Sequence, residues 1–138
     1  MEILNKCPFD PAFQANRQVF DYIKDLDANP EISHTLIRCL RQCGDVQIFC
    51  PDMGACRYLT ISTQAIVFGF TVERDIIAYR LNKRMKEIAL QTGARALPQC
   101  GEDWVNVWPS QSDWPRVDFD FWALKAYLNV RETADWPD

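Results

Sequence analysis

The chain has 138 residues, 48% hydrophobic and 25% charged, with a formal net charge of −4. That length suits one domain, 1–138, with a self-sufficient core, and the composition is that of an ordinary globular protein. The acidic balance argues against general nucleic-acid binding, which needs a basic face. The longest apolar run, Ala65–Phe70, is far too short to span a bilayer.

The N-terminus, Met-Glu-Ile-Leu-Asn-Lys-Cys-Pro, has no apolar stretch of signal-peptide length. The chain therefore reads as cytoplasmic, with Cys7, Cys39, Cys43, Cys50, Cys56 and Cys100 as reduced thiols.

Asp10 is a good N-cap and Pro11 a good first helical residue, with Phe13, Phe20, Ile23 and Leu26 following at helical spacing. Asn29-Pro30 ends that helix and starts a second one. Its stripe is Ile32, Leu36, Ile37 and Leu40, and Gly44 is the expected stop. The two read as a helical hairpin. Residues 46–50, 57–63, 65–72 and 76–81 are rich in β-branched and aromatic residues and read as strands. A continuous helix from Glu73 is the competing reading of 76–81. The strand is preferred because Asn82 then caps a helix running to Thr92, stopped by Gly93.

Trp104–Trp108 reads as a final strand, with Val105 and Val107 on one face and Trp104, Asn106 and Trp108 on the other. A last helix spans 117–131. Val117, Phe121, Leu124 and Leu128 share one face, and Phe119, Ala123, Ala126 and Val130 a second. Trp122 falls on the polar stripe with Asp118, Lys125, Asn129 and Glu132. Residues 133–138 read as a loose tail. The fold class is α+β: an N-terminal helical hairpin, an antiparallel sheet, and helices packed on one side.

No catalytic motif appears. Cys39 and Cys43 are four apart on a predicted helix, and Cys50 and Cys56 flank a turn, but neither spacing is that of a zinc knuckle. They read as small hydrophobes rather than metal ligands, so no metal or cofactor is assigned, and a small cysteine-dependent zinc protein stands as an alternative function. His34, the single histidine, lies five residues before Cys39 and so on a different helix face, which argues against a nucleophile pair. Glu102, Asp103, Asp113, Asp118 and Asp120 read as a solvated or contact surface, since negative charge at a helix start has an ordinary dipole explanation. Arg80, Lys83, Arg84 and Lys86 form a basic cluster, read as a solvated helix face.

The informative feature is an asymmetry. All five tryptophans, Trp104, Trp108, Trp114, Trp122 and Trp136, lie after residue 100. There, eight Asp/Glu face three Lys/Arg, whereas residues 1–100 carry eleven against twelve. Tryptophan is the richest hot-spot residue, and carboxylates steer cations. In this character the chain resembles the small cytoplasmic immunity proteins that bacteria pair with polymorphic toxins. That resemblance implies a non-enzymatic inhibitor of a basic toxin domain, with no nucleic-acid or membrane partner. Its contact surface would be Trp104, Trp108, Asp113, Trp114, Asp118 and Trp122. The run Ile66-Val67-Phe68-Gly69-Phe70, then Ile77-Ala78-Tyr79-Arg80-Leu81, a helix to Gly93, the strand at Trp104 and a closing helix is similar in order to YjbR-like and TfoX N-terminal domains. This second likeness covers about half the chain. It implies a regulatory or interaction domain with a hairpin at Glu73–Asp75.

Overall fold

The computed structural model describes residues 2–52, 57–73, 76–107, 118–133 and 136. Among them the chain runs β1 (Ile3–Leu4), α1 (Gln14–Ile23), α2 (Pro30–Arg38), β2 (Gln47–Phe49), β3 (Leu59–Thr63), β4 (Ile66–Val72), β5 (Ile76–Arg80), α3 (Lys83–Gln91), β6 (Arg95–Ala96), β7 (Trp104–Asn106) and α4 (Phe119–Glu132). The strands form one sheet in the order β1-β2-β3-β4-β5-β7-β6. The class is α+β, as expected.

The central strands dictate the layering. Every residue of β3, β4 and β5 is buried. A strand apolar on both faces needs cover on both, whereas an alternating one can leave a face to water. Strand parity divides the interior accordingly. On one face Ile48, Leu59, Ile61, Ile77, Tyr79 and Val105 pack with Ile32 and Leu36 of α2 and with Phe119, Trp122, Ala126 and Val130 of α4. On the other, Phe49, Val67, Phe70, Ala78 and Trp104 meet Val19 and Ile23 of α1.

This arrangement corrects three expectations. The helices lie on both faces of the sheet, not on one side. The buried residues of α1 and α2 belong to opposite faces, so the two helices do not pair as a hairpin. The link between them instead passes the end of the sheet. There Tyr58 N–H donates to Leu26 O, Asn29 N–H donates to Glu73 O, and isolated bridges join Asp27 to Arg57 and Ala28 to Glu73. The sheet is also mixed: β1 pairs parallel to β2, with Ile3 opposite Ile48 and Leu4 opposite Phe49. Strands of two residues, such as β1 and β6, have no period to read.

Capping chemistry sets the helix starts. Asn29 Oδ1 accepts Glu31 N–H at 2.9 Å ahead of Pro30, and Asn82 Oδ1 accepts Met85 N–H at 2.8 Å. Asp10 does not cap α1. Its carboxylate accepts Ala12 N–H at 2.9 Å and its carbonyl accepts Phe13 N–H at 3.2 Å. Asp10-Pro11 thus forms a turn before the helix, and α1 begins four residues later. Helix α2 stops at Arg38, short of Gly44. The strand reading of 76–81 holds: β4 and β5 pair antiparallel, with Val72 opposite Ile76.

One irregularity shapes the centre. Ile61 lies opposite Gly69 but Ser62 opposite Val67, so Phe68 is an extra residue in β4. Phe68 packs on the α4 face, where its ring meets Tyr127 edge-on at 5.8 Å. A Cβ on Gly69 would lie 2.8 Å from Ile61 Cδ1 and 3.0 Å from Tyr79 Cδ1, so glycine is what lets those two side chains close over the strand.

Candidate functional site

Of the six residues expected to form a contact surface, Trp104, Asp118 and Trp122 are among the described residues. Trp104 is 2% exposed and Trp122 6% exposed. The alternation of β7 holds, but the face carrying Trp104 meets α1 and Phe70, whose ring is 5.2 Å from the indole, rather than solvent. Trp122 belongs to the helical stripe Phe119, Trp122, Ala123, Ala126, Tyr127 and Val130, which is buried in full. Apolar residues surround most of α4, so the neighbouring sheet chose which stripe to bury. Both tryptophans are core residues in this structure, not surface anchors. Trp108, Asp113 and Trp114 lie outside the described residues.

Asp118 is at the surface. It caps α4, accepting Phe121 N–H at 3.0 Å. Asp120 follows, paired at 2.8 Å with Arg41, whose guanidinium holds its carboxyl below the usual range. Phe121 comes next, 38% exposed, with Lys125 Nζ 5.4 Å from its ring. The start of α4 thus holds an exposed aromatic ring in the same turn as two carboxylates, one of them paired with Arg41. Phe121 was expected on a buried face. The sheet buries the stripe of Phe119, Ala123, Ala126 and Val130 together with Trp122 and Tyr127, while Leu124 and Leu128 of the other face are partly buried against the core. The two faces are of equal length in sequence, so the sequence carried no signal for which would be buried.

The basic cluster divides. Lys83 and Arg84 are exposed, as read. Arg80 is 4% exposed, its guanidinium carbon 5.0 Å from the Trp104 ring centroid and 5.1 Å from that of Trp136. Trp136, from the stretch read as a loose tail, packs against the core, and its indole N–H donates to Val130 O at 3.3 Å.

The thiols are buried and weakly acidic. Burial pushes Cys39 up to about 12, with the nearby Asp120 carboxylate adding to the effect, and pushes Cys43 to about 11 and Cys100 to about 12. The nucleophile and the metal ligand are both the thiolate, so these environments suit packing rather than chemistry. Among the described residues no three His, Cys, Asp or Glu side chains are grouped to hold a metal ion.

His34 is exposed and borders a small cleft between α2 and the β1–β3 end of the sheet. Ile3, Ala28, Ile37 and Leu59 wall it, with Arg57 alongside. Its free volume is about 50 Å³, room for a few waters or one short aliphatic group. Arg57 is already engaged, its Nε 3.4 Å from Asp27 and an Nη donating to Lys24 O at 2.6 Å. Among the described residues no helix is long and apolar enough to cross a membrane.

The fold and this surface define an α+β protein with a mixed sheet enclosed by helices on both faces. No protein family, curated protein or solved structure matches the chain.

Proposed function

We propose that this is a non-enzymatic binding protein that neutralises a cognate partner, an immunity protein acting on a basic bacterial toxin domain in the cytoplasm. The observation that carries the reading is Phe121, an exposed aromatic in the first turn of α4, which also holds Asp120 and is capped by Asp118. In sequence it lies seven residues after Trp114, the last of Trp108, Asp113 and Trp114. Phe121 takes the anchoring role first given to Trp104 and Trp122. Asp113 and Asp118 steer the approach of Lys and Arg on the partner.

The test is native mass spectrometry of the tagged protein captured from its source lysate, followed by association kinetics. A stoichiometric complex with a basic protein of domain size supports the reading. Asp113→Lys with Asp118→Lys must then slow association and flatten its salt dependence. Asp118→Asn, which keeps a capping oxygen but removes the charge, separates a steering role from a helix-capping one. A bare monomer, or unchanged kinetics in the double variant, sinks the proposal.

A second reading, a regulatory or interaction domain of the YjbR-like arrangement, is favoured by the antiparallel β4–β5 pairing that it predicts. That pairing speaks to fold more than to function.

A further inference from the structure

Arg80 ends β5 in an unusual state. Among the described residues no carboxylate lies within ion-pairing distance of it. One Nη donates to the carbonyl of Ala15, and Nε has no hydrogen-bond partner. Burial lowers its pKa to about 10, against the opposing pull of Asp103 and the Cys100 thiol, so the group stays charged at neutral pH. A buried charge with no counter-ion is costly, and the cost rises when a donor is left unmade.

The shape of the guanidinium selects the kind of group that would satisfy it. A guanidinium is planar. Its two faces take aromatic rings and its edge carries the N–H donors. Here Trp104 and Trp136 supply rings, while the edge bearing Nε is unsatisfied. The natural occupant of such an edge is an oxyanion, which the arginine fork matches in shape and charge. The two rings differ in how they are held. Trp104 is set in β7 and 2% exposed. Trp136 follows the end of α4, is partly exposed, and is pinned by the bond to Val130 O.

We propose that Arg80 is the recognition group of a second binding site, for a small oxyanion-bearing molecule of the phosphate or carboxylate class, and that Trp136 shuts it. Displacing the Trp136 ring uncovers the guanidinium and gives a ligand access to it, and the Trp104 ring stays against it. This site is independent of the surface at the start of α4.

The arginine Nε–H resonances of the full-length protein report on it directly, with Arg80 assigned through its proximity to the Trp104 indole. Sodium phosphate and sodium acetate are titrated at constant ionic strength into the wild type, Trp136→Ala and Trp136→Phe. The expected result is a saturable shift of the Arg80 Nε–H in Trp136→Ala, at anion concentrations at least tenfold lower than in the wild type. Trp136→Phe, which keeps a ring, stays close to the wild type. Tighter binding of phosphate assigns a phosphate ligand, and tighter binding of acetate a carboxylate. A folded Trp136→Ala protein whose Arg80 resonance shows no saturable shift, or the same shift as the wild type, overturns the proposal and leaves Trp136 as packing only.

Discussion

The side-chain oxygen of Asn16 accepts the backbone N–H of Val67 at 2.9 Å, and this bond ties α1 to β4 beside the bulge at Phe68. The Asn16 amide nitrogen donates in turn to Ala65 O at 2.9 Å and to Asp10 O at 3.2 Å. Asn16 is fully buried. One asparagine therefore satisfies backbone groups from the turn before α1, the β3–β4 turn and the start of β4. Asn16→Ala leaves the buried Val67 N–H without its partner, whereas Asp10 O keeps its bond from Phe13 N–H and Ala65 is exposed to water, at roughly 1–3 kcal/mol by the usual cost of an orphaned buried donor. Urea unfolding should show a lower midpoint with an unchanged slope. A midpoint within error of wild type would mean that the clamp is not stabilising.

The β3–β4 turn is built from residues poorly suited to it. Gln64 has φ 53° and Ala65 φ 62°, a left-handed pair between Thr63 and Ile66. Two-residue hairpin turns of this kind favour Asn-Gly, because a Cβ in that region is crowded. Gln64→Asn with Ala65→Gly should stabilise the protein by about 1 kcal/mol, read as a higher melting temperature. A fall in melting temperature would show that the Asn16 bond to Ala65, rather than turn propensity, governs this corner.

Gly69 answers a packing demand. Gly69→Ala must push Ile61 or Tyr79 aside, both of them buried, at about 1–3 kcal/mol. Ile61→Val removes the Cδ1 atom nearest the new methyl. The double variant should recover part of the loss that Gly69→Ala alone incurs. Strictly additive losses in that cycle would place the strain elsewhere.

The thiols set a pH limit. Cys39, Cys43 and Cys100 sit above their ordinary value of 9.0, and burial likewise raises Tyr58 to about 12. The folded state therefore holds these protons more tightly than the unfolded state. The stability this gives is complete below pH 9 and is lost as pH rises toward 11–12. Arg80, lowered by burial, works in the opposite direction, but it is one group against several. The urea midpoint should therefore fall between pH 8 and pH 10.5. At pH 8 a thiol reagent should modify half-exposed Cys7 well before Cys39, Cys43 or Cys100. Equal modification rates for all four would contradict the buried environments.

What could be read along the chain was local chemistry. Asn29-Pro30 and Asn82 announced helix starts because a short side chain reaching its own backbone needs only neighbours in sequence. Asp10 has the same ability, but it spent it on a turn, and sequence spacing alone does not distinguish the two uses. The strand identity of 76–80 was legible in its β-branched and aromatic residues, and the parity of Trp104 and Val105 was correct.

The sequence by itself determined the class of fold, most of the elements and the concentration of acid and tryptophan after residue 100. Only the tertiary structure decided which of those residues meet water. Trp104 was given to the surface for the acid concentrated after residue 100, and Trp122 for the polar stripe it shares with Asp118, Lys125, Asn129 and Glu132, yet α1 covers one and the sheet covers the other. Phe121 came out where Trp122 went in, and Arg80 was drawn against the rings of Trp104 and Trp136. The reason is physical. Period fixes which residues share a face, but the burial of a face depends on partners far along the chain, and α4 offers more than one apolar stripe for the sheet to take.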